Sequence, residues 1–111
     1  MAIQHAKAGQ VIHVQPLAAK IASTKTYTLF KTEVMEAIRL VMPAGKKIAE
    51  HQAPGEITVQ CLEGRVKFSV GQACHDLNAG DMLYLETGQP HALEAILDSS
   101  VLVTILLNKA S

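Results

Sequence analysis

The sequence has no excess charge of either sign. Ten Lys and Arg balance ten Asp and Glu, and charged residues make up only 18% of the chain. Nucleic acid and anionic membranes both call for a net basic surface, so neither is expected as a partner. Cysteine is scarce too. Cys61 and Cys74 form neither a CxxC pair nor a disulfide framework, so both are expected to be reduced, in a cytoplasmic protein. Long hydrophobic runs are missing. The most apolar stretch, Val101 to Leu107, falls far short of the ~20 residues a spanning helix needs. The first ten residues, MAIQHAKAGQ, contain no apolar run of the signal-peptide kind. There is no repeat, low-complexity tract or charge block. The run Ser23-Thr24-Lys25-Thr26 lacks the glycines that cradle a phosphate.

What is present is apolar residue content, 49% of 111 residues. That is enough for one domain with a core and too little for two. A neutral chain also lacks self-repulsion, which permits self-association. Glycine and proline punctuate the chain from Gly45 onward at roughly 8–10-residue intervals, through Pro54-Gly55, Gly64, Gly71, Gly80 and Gly88-Gln89-Pro90. Short strands joined by turns have this spacing. Between the turns, Arg65 to Val70 alternates strictly, with Val66, Phe68 and Val70 on one face. Ile57, Val59 and Cys61 share a face in the same way. Val101 to Leu107 is apolar on nearly both faces, so it belongs centrally in a sheet or at an interface. Val11 to Val14, closed by Pro16, is expected to open the fold as a strand. Thr32 to Met42 fits both periods: apolar residues at 34, 37, 38, 41 and 42 suit a helix, while Ile38, Leu40 and Met42 suit one face of a strand. The all-β surroundings favour the strand. A helical turn is expected around Leu17-Ala18-Ala19-Lys20.

Two spaced frames stand out. In the first, Gly45 is followed by five residues and His51, then one and Ala53, three and Ile57, six and Gly64. In the second, Gly80 is followed by five residues and Glu86, then one and Gly88, two and His91, three and Ala95. These frames resemble the two motifs of the cupin family, Gly-x5-His-x-His-x3-Glu-x6-Gly and Gly-x5-Pro-x-Gly-x2-His-x3-Asn. The likeness runs from about Val41 to Leu107 and includes PGEITVQCLEGRVKF and AGDMLYLETGQPHALEA. It is to the small single-domain, RmlC-like cupins.

The resemblance implies an all-β fold, a double-stranded β-helix or jelly-roll barrel of eight to eleven strands. Residues 1–30 would form a strand or arm packing on the barrel, and residues 31–111 the barrel itself, one structural domain overall. It also implies a metal held by three His and one Glu facing inward. Here Ala53 and Ile57 stand where a His and the Glu would be, and Glu86 and Ala95 where Pro and Asn would be. His51 and His91 alone carry over, as a residual site for a divalent metal such as Zn, Fe, Mn or Ni. The expected pocket sets these two imidazoles in a wall of Ala53, Ile57, Met42, Val59, Cys61, Met82 and Leu93.

Several readings stay open. The two histidines are either metal ligands or ordinary polar groups hydrogen-bonded to each other, water or backbone. Two imidazoles without a carboxylate are a short ligand set. Cys61 would add a thiolate if geometry allowed, and Glu56 points outward by parity unless a bulge at Pro54-Gly55 turns it in. A neutral imidazole in such a pair is also a candidate general base. His5 and His13 carry little signal. Cys74-His75-Asp76 reads as strand residues pointing to alternate faces rather than as a nucleophile. Glu63, Glu86 and Glu94 read as exposed carboxylates.

Three functions compete. One is a module binding a small molecule. The second is an enzyme, metal-dependent or acid-base, of isomerase, lyase or dioxygenase type using His51 and His91. The third is a barrel that serves only assembly. A homodimer is expected, with strands 101–107 and 11–14 as its contacts.

Overall fold

The computed structural model describes residues 4–107. Its elements are a 3-10 turn (Ala18–Ser23) and nine strands: β1 (Tyr27–Lys31), β2 (Met35–Met42), β3 (Lys47–His51), β4 (Ile57–Glu63), β5 (Arg65–Val70), β6 (Ala73–Asn78), β7 (Met82–Leu85), β8 (His91–Ala95) and β9 (Ser99–Leu106). They form a five-stranded sheet in the order β1-β2-β9-β4-β7 and a four-stranded sheet in the order β3-β8-β5-β6. Every pairing is antiparallel. Two antiparallel sheets joined by connections that pass from one to the other are the jelly-roll arrangement. Among the described residues no helix is long and apolar enough to cross a membrane.

Alternation fills the space between the sheets. Ile57, Val59 and Cys61 of β4 meet Val66 and Phe68 of β5, Leu93 and Ala95 of β8, and Val101 and Val103 of β9 in one buried cluster. Fully burying such side chains stabilises by about 1.5–3 kcal/mol each. Gly64 makes the β4–β5 turn at φ +84°, and Gly80 turns at φ +95°. Both are left-handed conformations that a side chain resists.

Thr32 to Met42 resolves as a turn at Thr32 followed by strand β2. Its helix-like pattern has a physical cause, because both faces of β2 are covered. Ile38, Leu40 and Met42 face the other sheet, while Ala37, Arg39 and Val41 are buried on the outer side. The 3-10 turn buries Ile21, which stands apart from the cluster between the sheets. β9 lies between β2 and β4, as its two apolar faces require, and both its edges are taken. It has no free edge to offer a second chain.

Two expectations fail. Val11 to Val14 form no strand: Val11 is 74% exposed, and although the Ala6 N–H donates to the Leu29 carbonyl of edge strand β1, residues 11–14 add no backbone hydrogen bond to it. Glu63 is not a solvated carboxylate. Its side chain is 12% exposed and ion-pairs with buried Arg39 at 3.1 Å. The backbone N–H groups of Leu17 and Ala18 each donate to it at 2.9 Å, and the Ser100 hydroxyl donates to it as well. Arg39 also donates to the Gln15 carbonyl at 2.6 Å. The cluster thus fastens residues 15–18 to the outside of the five-stranded sheet. Burial would raise the Glu63 pKa, but the donors from Leu17, Ser100 and Ala18, with the Arg39 charge, outweigh it and leave it below the ordinary value.

A candidate ligand cavity at the histidine end of the barrel

His51 closes β3, and His91 opens β8 directly after the Gly88-Gln89-Pro90 turn. The two residues are cross-strand partners, with a bulge in β3 between Ile48 and His51. Their rings meet edge-on at 4.2 Å between centroids, at 61°. His91 also lies parallel to Phe68, centroids 5.5 Å apart and 8° between planes. His91 is only 4% exposed, whereas His51 is open to solvent.

Each ring is held in the same manner. Nδ1 of His51 lies 3.0 Å from the carbonyl oxygen of Ala49, and Nδ1 of His91 lies 2.9 Å from that of Gln89. Burial pushes the His91 pKa down; the contact to Gln89 opposes this and the neighbouring His51 adds to it. The net direction favours a neutral ring.

Beside the pair lies a cavity of about 170 Å³. Of the residues expected in the pocket, His51, His91, Ile57, Val59 and Leu93 line it. Ala53, Met42, Cys61 and Met82 do not. Ala53 lies beyond the end of β3 and packs against the core. Met42 and Cys61 point inward at the other end of their strands, where they fill the barrel solidly. The Cys61 thiol is raised in pKa mainly by burial and its Sγ lies 3.3 Å from the Glu63 carbonyl oxygen, so it is no ligand for this site. Met82 is 59% exposed on the outer face, because Leu83 and Leu85 take the inward positions of β7. Glu56 stays outward and accepts a hydrogen bond from the Tyr84 hydroxyl at 2.6 Å.

Sequence reasoning left out Ile38, Leu40, Ile48, Phe68, Val103 and Ile105, which complete the wall. The β2 and β5 members share a face with residues already singled out, so their alternation contained the signal. Val103 and Ile105 carried none, because β9 is apolar on both sides. A wider depression of about 750 Å³ lies between residues 4–13 and β1 and includes His5 and His13. It is an open surface feature, and the smaller barrel cavity is the better enclosed of the two.

The cupin domain model matches residues 38–106. The chain belongs to the cupin family. Among solved structures, this cupin is similar to a conserved protein of unknown function from Streptococcus pyogenes (19% identity, 99% of this chain and 97% of that one, TM-score 0.75). It is similar to a cupin superfamily protein from Desulfitobacterium hafniense (16%, 97% and 100%, TM-score 0.77). It is also similar to the DMSP lyase DddQ from Ruegeria pomeroyi (26%, 77% of this chain and 48% of that one, TM-score 0.65). No curated protein sequence matches the chain.

Cupins often bind metals. In this cupin the donor set is short of the usual one. No group of three or more His, Cys, Asp or Glu side chains placed to hold an ion occurs among the described residues. Two imidazole nitrogens fall below the three or four protein ligands that zinc and its neighbours usually take.

Proposed function

We propose that this cupin binds a small molecule inside its barrel, with His51 and His91 as the polar end of an otherwise apolar pocket. The observation that carries this is the cavity of about 170 Å³ lined by those two rings and by nine apolar side chains. Ligand sites have this composition, a hydrophobic wall with a few convergent polar groups. A broad metabolite screen by thermal unfolding tests it. A ligand at a hundred times its Kd stabilises by about 2.7 kcal/mol, a clear rise in melting temperature. Val103→Phe, which fills the cavity, should remove the rise. A screen without any shift overturns the reading.

A second reading is an enzyme in which His91 acts as general base. It is favoured by the downward direction in which burial moves the His91 pKa, and by the likeness to a DMSP lyase whose chain this one spans by about half. Turnover of DMSP that is lost in His91→Ala supports it, and no turnover leaves binding. A two-histidine metal site is the third. Near-stoichiometric metal in untagged protein, absent from the variant carrying His51→Ala and His91→Ala, supports it. A protein that stays metal-free after reconstitution removes it.

The same proposal includes a homodimer in the cytoplasm. Its support is the uncovered half of the five-stranded sheet, where Met82, Tyr84 and Leu106 point outward and are 59%, 57% and 42% exposed.

A further inference from the structure

We propose that the ligand of the barrel cavity is an uncharged molecule of about benzene size carrying one hydroxyl group, which donates to Nε2 of His91; this rests on the pocket reading above. The first step is which nitrogen is free. A carbonyl oxygen only accepts, so the Nδ1 atoms facing the oxygens of Gln89 and Ala49 must each carry the hydrogen and donate it. In a neutral ring that leaves Nε2 as a bare acceptor. Among the described residues the side-chain hydrogen bonds of both rings are those of Nδ1, with none to Nε2. His51 is open to water, so its Nε2 can be solvated. His91 is 4% exposed, its ring is stacked on Phe68 and it lines the cavity, so water or a ligand in the cavity is what its Nε2 has to meet.

The wall then sorts the ligand classes. An unfunctionalised hydrocarbon leaves the His91 acceptor unmatched, which costs its desolvation. A carboxylate brings acceptors against an acceptor. An ammonium group brings donors, but no acidic side chain lines the cavity to offset its buried charge. A hydroxyl brings one donor and no charge. Size closes the choice. An apolar cavity of about 150 Å³ is large enough for benzene, and this one is about 170 Å³, which suits a phenol or a cyclic or short branched alcohol.

The test uses the full chain, stripped of metal with a chelator and held at pH 8, where neutral histidine dominates. Phenol, toluene, benzoate and benzylamine are titrated by calorimetry. Phenol should bind at least tenfold more tightly than the other three. The ¹⁵N resonance of His91 Nε2 in the unaltered protein should move on adding phenol and stay in place on adding toluene. In His91→Phe the preference for phenol over toluene should fall below threefold while toluene still binds. Equal affinity for phenol and toluene overturns the hydroxyl assignment and leaves the pocket intact. Benzoate or benzylamine binding as well as phenol overturns it too, as does phenol binding that appears only when metal is restored. If none of the four binds, the assigned size and class are wrong; the pocket itself falls only if the wider metabolite screen is also empty. Should His91→Phe fail to fold, the ¹⁵N shift in the unaltered protein decides alone.

Discussion

A single Cβ atom separates two glycines that look alike in the sequence. Gly64 and Gly80 both turn at positive φ, a conformation that costs an L residue about 1–2 kcal/mol. Around Gly80 a Cβ would meet nothing within 4 Å, whereas at Gly64 it would run into the Asp98 carbonyl and Ser99. Gly80→Ala should therefore lose about 1 kcal/mol and Gly64→Ala about 3 kcal/mol or more, because backbone must also move. Urea unfolding of the two variants compares them directly. The cysteines separate in the same fashion. Cys74 is exposed and Cys61 buried, so a thiol reagent should modify one group per native chain at once and the second only on unfolding.

The segment ahead of β1 behaves as an attached element rather than as a strand. Residues 15–18 are held through Glu63 and Arg39, and breaking a buried pair by removing one partner costs about 3–5 kcal/mol when the other charge is stranded. In Glu63→Gln the amides of Leu17 and Ala18 should exchange hydrogen much faster, while those in the middle of β9 keep their protection. The pH dependence has a definite sign. The Glu63 pKa is depressed on folding, so its contribution is fully present above the ordinary value of 4.5 and disappears as pH falls through the lower folded value. Glu63→Gln should flatten that part of the acid limb in a stability–pH profile.

This element also shows what the sequence could reveal. The alternation in β4 and β5 was legible as strands because period is a local property, while the barrel and the placing of His51 and His91 in it followed from the resemblance of the two frames to the cupin motifs. Arg39 and Glu63 are 24 residues apart and touch only once β9 has joined β2 to β4 in the five-stranded sheet. Glu63 accordingly looked like any surface carboxylate. Met82 failed for a related reason: parity separates inward from outward positions only when the strand's neighbours are known, and the pairing of Leu83 with Val59 fixes it. The strand expected at Val11 to Val14 had the composition of a strand, but the chain meets the edge of β1 at Ala6 and residues 11–14 do not pair with it.

For the molecule as a whole, the open question is what covers the free half of the five-stranded sheet. By the register of β4 with β7 and β9, Met82, Gln60 and Leu102 form one outward row, and Tyr84, Thr58 and Thr104 the next. None of these six is charged. A stable interface removes about 800 Å² per partner. Sedimentation should show a dimer at micromolar concentration, and the variant carrying Met82→Asp and Leu106→Asp should sediment as a monomer with its melting temperature little changed. A monomer in the unaltered protein removes the dimer.

The place of β9 has a consequence for synthesis. It is the last strand in chain order among the described residues, yet it is the partner that joins β2 to β4. On a ribosome, β1 and β2 can emerge as a hairpin and β4 can find β7, but the two pieces share no strand until residues 99–106 leave the exit tunnel. A nascent chain halted before residue 99 therefore exposes two unpaired edges, those of β2 and β4, and holding such chains apart is work for a chaperone.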